Sequence, residues 1–192
     1  RLRVKHREGA PEIGELLEES VATIVREVGK MQALVDEFSR YARMPGPQLA
    51  ATAIDGLVSE VVALYRDVKP GVAIRTELAP GIGEVWVDPE QLRRVLINLL
   101  DNALEATEPP GDVAVRGERR GERLMLEAAD EGSGIAAEDR EKLFLPFFSR
   151  KKRGTGMGLA IVHRIVSDHN GTIRASENQP QGTVFTLELP AR

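Results

Sequence analysis

The sequence contains no cysteine, which excludes a disulfide scaffold and any thiolate metal site and fits a reducing compartment. It also lacks a surplus of positive charge. Lys and Arg total 26 against 30 Asp and Glu, a net charge of −4, so no global field gathers nucleic acid or anionic lipid and any bound anion must be held locally. No apolar run approaches the roughly 20 residues needed to cross a bilayer, and no signal-peptide pattern opens the chain. What is present is a 42% apolar composition over 192 residues, enough for a real core and for one to two domains of about 150 residues, which excludes extended disorder. Arg1 opens a basic, helix-compatible stretch without an initiator methionine, as expected of a piece cut from a longer chain.

Two regions differ in pattern. Over 12–44 the apolar residues Ile13, Leu16, Leu17, Val21, Ile24, Val28, Met31, Leu34, Val35, Phe38, Tyr41 and Ala42 keep a three-and-four spacing for about nine turns, which predicts one long amphipathic helix. Met44-Pro45-Gly46-Pro47 ends it, because proline lacks the donor a continuing helix requires. The expected domains are therefore 1–46 and 47–192. The stripe is buried either in a coiled-coil or four-helix seam or against the following domain. Beyond the break, helices are expected over 54–68, 89–107 and 156–169, and strands over 72–78, 84–87, 112–118, 122–129, 171–177 and 183–189. Asp88-Pro89 supplies an N-cap and a first-turn proline for the second of these helices. The expected class is α+β, with helices on one face of a mixed, mainly antiparallel sheet.

Three segments carry chemistry. On the 89–107 helix, Leu92, Val95, Leu96, Leu99 and Ala103 share one face, and Gln91, Asn98, Asn102 and Glu105 line an adjacent one. An amide facing a core is costly unless its donors and acceptors are used. The two asparagines either bind water at the helix edge or offer neutral oxygen to Mg²⁺, whose octahedral shell accepts amide oxygen, phosphate oxygen and water. Residues 130–135, Asp-Glu-Gly-Ser-Gly-Ile, follow a strand; Gly132 and Gly134 permit close backbone approach, and the Asp130 carboxylate can accept from an exocyclic amine such as that of adenine. A turn with a capping aspartate explains the same letters. Residues 154–159, Gly-Thr-Gly-Met-Gly-Leu, feed a helix N-terminus, whose free amides and positive dipole end suit phosphate. The spacing is neither a Rossmann fingerprint nor a P-loop. Arg150, Lys151, Lys152 and Arg153 bring local positive charge to it.

Taken in order, N-x-x-x-N-A (Asn98 to Ala103), D-x-G-x-G (Asp130 to Gly134), F-x-P-F-F (Phe144 to Phe148) and G-x-G-x-G (Gly154 to Gly158) resemble the N, G1, F and G2 boxes of the histidine-kinase ATP-binding domain. That is the two-layer α/β ATP-lid (Bergerat-type) fold shared with DNA gyrase, heat-shock chaperone and mismatch-repair ATPases. The likeness covers about 52–192. The 12–44 helix, ending Phe-Ser-Arg-Tyr-Ala-Arg-Met-Pro, is similar to the second helix of a dimerisation and histidine-phosphotransfer hairpin of the nitrogen-regulation subgroup. The resemblance implies that Asn102 coordinates Mg²⁺ on the ATP phosphates, with Asn98 supporting the phosphate end. It implies that Asp130 reads the adenine amino group, that Gly132 and Gly134 pass beneath the nucleotide, and that Ile135 next to them binds it as well. Phe148 and Lys151 belong to the F box and its following basic residue. Gly154, Gly156 and Gly158 wrap the phosphates as the hinges of a mobile lid, Thr155, Met157 and Leu159 between and after them bind nucleotide too, and Thr183 lies near the base. It further implies a response-regulator receiver domain as partner, a homodimer through the hairpin, no nucleic-acid or membrane contact by this fragment, and a cytoplasmic setting.

In gyrase-like relatives a glutamate at the position of Asn98 activates water. An amide cannot take a proton at neutral pH, so the site is expected to hold ATP for transfer to an imidazole without hydrolysing it. His163 and His169 fall inside the ATP-binding part, and residues 1–6 and 7–12 read as the end of hairpin helix one and its turn, with His6 followed by Arg-Glu-Gly-Ala-Pro. The phospho-acceptor histidine is therefore expected upstream. Glu105 stands where many relatives carry a basic residue, a mark of subtype. Two rival readings remain: a catalytically silent dimerisation module and a gyrase-type ATPase.

Overall fold

The computed structural model describes residues 13–151 and 154–191. The readings of 1–12 as helix end and turn, and of Lys152 and Arg153 as local charge, lie outside the described residues. The chain divides into two compact units between Met44 and Pro45.

The first unit is helix α1, Ile13–Ala42. Its stripe is written on the surface: Leu17, Val21, Ile24, Val28, Met31, Val35 and Phe38 recur at helical spacing and are all exposed. The Arg43 amide still bonds the Ser39 carbonyl, after which Pro45 ends the ladder.

The second unit begins with β1, Ala50–Ala53, which pairs antiparallel with β3, Glu84–Val87, as a two-stranded ribbon. Strand β1 was not expected, because Ala-Ala-Thr-Ala shows no alternation of apolar and polar residues. Helix α2, Ile54–Ala63, stops five residues short of the expected 68. Tyr65 explains the stop: its hydroxyl donates to Asp101 Oδ1 (2.7 Å) on the next helix, and Asp67 then turns left-handed (φ 61°).

Strand β2 spans Val72–Leu78, helix α3 Pro89–Ala106, and strands β4 and β5 run Gly111–Arg120 and Arg123–Asp130. A short 3₁₀ helix, Ala137–Lys142, precedes α4, Gly158–Asp168, and strands β6, Thr172–Glu177, and β7, Thr183–Pro190, close the chain. The five-stranded sheet has the order β2-β4-β5-β7-β6. Only β2 and β4 are parallel; every other pair is antiparallel, giving the mixed, mainly antiparallel sheet of an α+β fold. Gly121, left-handed at φ 61°, turns β4 into β5.

Helix α3 is the element that positions the site. Asp88 caps it by accepting the Glu90 and Gln91 amides through Oδ1 (both 3.1 Å) and receives the Gln48 amide on Oδ2 (2.8 Å). Leu92, Val95, Leu96, Leu99, Leu100 and Ala103 are buried under it. Losing any one of the leucines to alanine costs about 2–5 kcal/mol in such a setting. His169, at the end of α4, locks the same corner: its Nδ1 donates to the Ile165 carbonyl (2.8 Å), and its Nε2 accepts from the Asp88 amide (3.0 Å). These two bonds specify the neutral tautomer with the proton on Nδ1.

Candidate functional site

A cavity of about 760 Å³ opens between α3, the ends of β5 and β7, and the loops on either side of the 3₁₀ helix and before α4. That volume lies in the range of small-molecule and cofactor sites. Of the residues singled out in the sequence, it is lined by Asn102, Asp130, Gly134, Ile135, Phe148, Lys151, Gly154, Thr155, Gly156, Gly158, Leu159 and Thr183. Asn98, Gly132 and Met157 are not part of its lining.

Asp130 ends β5 at the bottom of the cavity and is only 3% exposed. Its Oδ1 accepts two backbone amides, Gly132 (2.9 Å) and Thr183 (3.2 Å), closing an Asx-type turn across the β5–β7 pair. Both bonds fall on one oxygen, and Oδ2 accepts none among the described residues. Burial raises the carboxyl above its ordinary value, and the two amides partly offset that rise by favouring the charged form. The Asn178 side-chain amide holds the Asp130 carbonyl from outside (2.8 Å).

The glycines have distinct duties. A Cβ at Gly132 would lie 2.5 Å from the Ala106 carbonyl, so this residue lets the turn meet the end of α3 rather than a ligand. Gly156 is left-handed (φ 71°), and a Cβ there would come within 2.5 Å of the Phe147 carbonyl carbon. The glycine loop is thus folded tightly against the F-x-P-F-F segment. Met157 next to it is fully buried and anchors the start of α4, whose first residues, Gly158 and Leu159, bring its amino end to the cavity.

The two asparagines, alike in sequence, part company in space. The Asn98 amide nitrogen turns back to the Arg94 carbonyl (2.8 Å), and its Oδ1 lies against Gly158, 2.8 Å from where a Cβ would stand. The Asn102 Oδ1 instead faces the cavity and accepts from the Lys151 ammonium (2.7 Å), which also donates to Glu105 Oε2 (2.6 Å).

Glu105 and Arg150, which the sequence offered only as a subtype mark and as part of a basic run, also line the cavity, and Asp139 lines it without having carried any sequence signal. Asp139, on the 3₁₀ helix, lines the cavity with its side chain 8% exposed and is gripped by Arg150, Nε to Oδ2 at 2.5 Å. Arg150 also pairs with Glu138, and these two carboxylates hold its guanidinium charged. Arg150 and Lys151, adjacent in sequence, therefore tie one strand of chain to opposite walls: the 3₁₀ helix on one side and α3 on the other.

For a metal, Asn102 Oδ1 and Glu105 Oε2 are hard oxygen donors converging on one cationic nitrogen. Among the described residues no group of three or more His, Asp or Glu could enclose an ion. An open pair of oxygens fits Mg²⁺, which keeps several waters and completes its shell with substrate phosphates.

The sequence pattern of the histidine kinase-, DNA gyrase B- and HSP90-like ATPases matches residues 87–192. The chain belongs to this family. Among curated relatives, it is 34% identical to the nitrogen regulation protein NtrY of Azorhizobium caulinodans over 91% of this chain and 23% of that protein. It is 41% identical to the C4-dicarboxylate transport sensor protein DctB of Rhizobium meliloti over 89% of this chain and 28% of that one. The chain thus spans about a quarter of the length of either. Among solved structures, the histidine kinase ThkA in complex with the response regulator TrrA superposes with a TM-score of 0.75 at 27% identity, covering 95% of this chain and 53% of that one. Within the ATPase family, this is a domain of the sensor-histidine-kinase type. Among the described residues no helix is long and apolar enough to cross a membrane.

Proposed function

We propose that this chain is the catalytic part of a two-component sensor kinase that binds ATP with Mg²⁺ in the cavity and presents the γ-phosphoryl group to a histidine carried elsewhere on the protein. The observation that carries this reading is the meeting, in one 760 Å³ space, of the buried Asp130, Asn102, Lys151 and the glycine loop. In the proposal, Asp130 Oδ2 accepts the adenine amine, and Gly134, Ile135 and Thr183 flank the base. Asn102 holds the metal, and Lys151 with the amides of 154–158 meets the phosphates. Mg²⁺, when bound, supplies neutralisation of the triphosphate, and phosphoryl transfer needs little else from the protein than positioning and charge. Phe148 and Leu159 give the cavity apolar walls.

A hydrolase is disfavoured by position 98, where an amide already bonded to Arg94 has no basicity for water. His169 is disfavoured as the acceptor, since both ring nitrogens are engaged. His163 packs against Phe144 with the rings tilted by 36° and their centroids 5.5 Å apart. The parent protein would carry the acceptor on a preceding helix of a hairpin that pairs two copies through the apolar stripe of α1, as residues 1–46 were read. The complex of ThkA with TrrA supports a response-regulator receiver as the next phosphoryl acceptor.

The test is titration calorimetry of this chain with a non-hydrolysable ATP analogue, followed by incubation with γ-labelled ATP. The expected result is Mg²⁺-dependent binding, little phosphate release and no acid-labile, base-stable label on the chain itself, with such label appearing on the longer protein. Absence of binding would favour a silent dimerisation module, and steady phosphate release a gyrase-type ATPase.

A further inference from the structure

We infer that Asn102 and Glu105 form a single cation seat on α3, filled by the Lys151 ammonium in the free protein and taken over by the divalent metal that enters with nucleotide. This inference rests on the nucleotide reading of the cavity and adds Glu105 to its metal chemistry. The two residues are three apart on one helix and so share a face. Their oxygens lie 2.7 Å and 2.6 Å from the same nitrogen. Among the described residues neither side chain has another hydrogen bond or ion pair, so both acceptors are committed to whatever cation sits there.

The pair is poorly suited to a structural task. The Lys151 and Glu105 side chains are 38% and 61% exposed, and ion pairs that open to solvent contribute little to stability. It is well suited to exchange. Arg150 fixes the neighbouring chain to the buried Asp139, so Lys151 can leave by rotating its four-carbon stem while the backbone stays in place. A divalent ion and an ammonium that need the same two oxygens exclude each other. Entry of the metal therefore frees a positive charge within reach of the phosphates, where a lysine acts as a point charge. Without metal, a triphosphate that draws Lys151 away leaves the Glu105 carboxylate unpaired beside a polyanion. The seat thereby makes nucleotide affinity depend on metal more steeply than Asn102 alone would.

The experiment is a Mg²⁺ titration of the whole chain at fixed, sub-saturating fluorescent ATP analogue, comparing wild type with Glu105→Gln and Lys151→Gln. Glu105→Gln removes the charged ligand and raises the Mg²⁺ midpoint about tenfold, the scale on which metal sites respond to loss of a supporting carboxylate. Lys151→Gln removes the competitor and lowers the midpoint, even though its nucleotide affinity at saturating Mg²⁺ is weaker. A raised midpoint in Glu105→Gln together with a lowered one in Lys151→Gln supports the exchange, and the reverse pair of shifts overturns it. Shifts of the same sign, or an unmoved midpoint in Glu105→Gln, overturn it while leaving the nucleotide site standing, since wild type still binds the analogue. No binding by wild type at any Mg²⁺ concentration overturns the nucleotide reading and the seat together.

Discussion

Gly182 lies directly under the carbonyl of Asp130: a Cβ on that glycine would stand 1.9 Å from the Asp130 oxygen. Its φ of 112° is a conformation that side chains other than glycine's rarely adopt. The chain must reverse here so that Thr183 can present its amide to Asp130 Oδ1 across the β5–β7 pair. Gly182→Ala is therefore expected to destabilise the second unit by at least about 2 kcal/mol, from backbone strain plus an overlap with main-chain atoms that cannot move aside. Calorimetric melting would fall by several degrees, and nucleotide affinity would drop because Asp130 loses its fixed orientation. A melt matching wild type would show that the turn re-forms elsewhere.

Asp130 itself trades stability for binding. Because burial raises its carboxyl, the native protein keeps that proton at pH values where the unfolded chain has lost it. Native Asp130 thus weakens folding as pH rises from the ordinary carboxylate value, about 4, through the raised one. Asp130→Asn removes the penalty while its side-chain oxygen still accepts the Gly132 and Thr183 amides. The melting temperature of Asp130→Asn should exceed that of wild type at neutral pH, with the difference shrinking to nothing near pH 4. Adenine-nucleotide affinity should move the other way, falling about tenfold or more in the variant for loss of a charged acceptor. In wild type, affinity should decline on acidification through the raised value as Oδ2 becomes protonated. Melts and titrations across pH 4–8 check both signs.

The parts of the fold that proved legible were those in which one residue pattern has one physical meaning. The long stripe over Ile13–Ala42 and the Asp88 cap with Pro89 behind it each declared themselves. Strand β1 and the 3₁₀ helix did not, because Ala-Ala-Thr-Ala and Ala-Glu-Asp-Arg-Glu-Lys have no periodicity and owe their shape to what they pack against. In the cavity, glycines and the buried aspartate were visible as motif letters, whereas their division of labour was not. Gly132 serves the end of α3 and Asn98 the start of α4, duties that depend on contacts between segments some 25 and 60 residues apart in sequence. Asp139 was silent for the same reason: nothing in its neighbourhood names Arg150 as its partner.

That pair makes a separate prediction. Asp139 is buried and Arg150 is its counter-ion, so Arg150→Ala strands a carboxylate in poorly solvated surroundings. Melting temperature should fall in Arg150→Ala and recover in part when Asp139→Asn is added, because the amide carries no charge to strand. A double-mutant cycle reads this coupling. Additive losses would mean that the two side chains act independently.

Asn102→Ala separates binding from folding. The Asn102 side-chain oxygen bonds only Lys151 among the described residues, and alanine is the best helix former, so circular dichroism and melting should be unchanged or slightly improved. Nucleotide affinity should lose its response to Mg²⁺ in calorimetric titrations with and without chelator. A retained response would remove Asn102 from the metal site.

Lys69 controls the end of the helix that carries these groups. Its ammonium donates to the carbonyls of Leu104 (2.9 Å) and Thr107 (2.7 Å), which the closing turn of α3 leaves without helical partners. A cation at this end also opposes the negative pole of the helix. The adjacent Ala106 carbonyl is the group against which Gly132 packs, so fraying here would reach both Glu105 and the Asp130 turn. Lys69→Met keeps the apolar stem and deletes the charge. It should cost about 1–2 kcal/mol for two charge-assisted bonds at a partly exposed site, and hydrogen exchange should accelerate at the amides of 105–108 ahead of those in the α3 core. Nucleotide affinity should weaken less than in Asn102→Ala, since the carbonyls that the Lys69 ammonium holds belong to residues outside the cavity lining. Unchanged exchange at 105–108 would mean that water replaces the ammonium without loss and that the last turn of α3 is held by Thr107, whose hydroxyl donates to the Ala103 carbonyl at 2.8 Å.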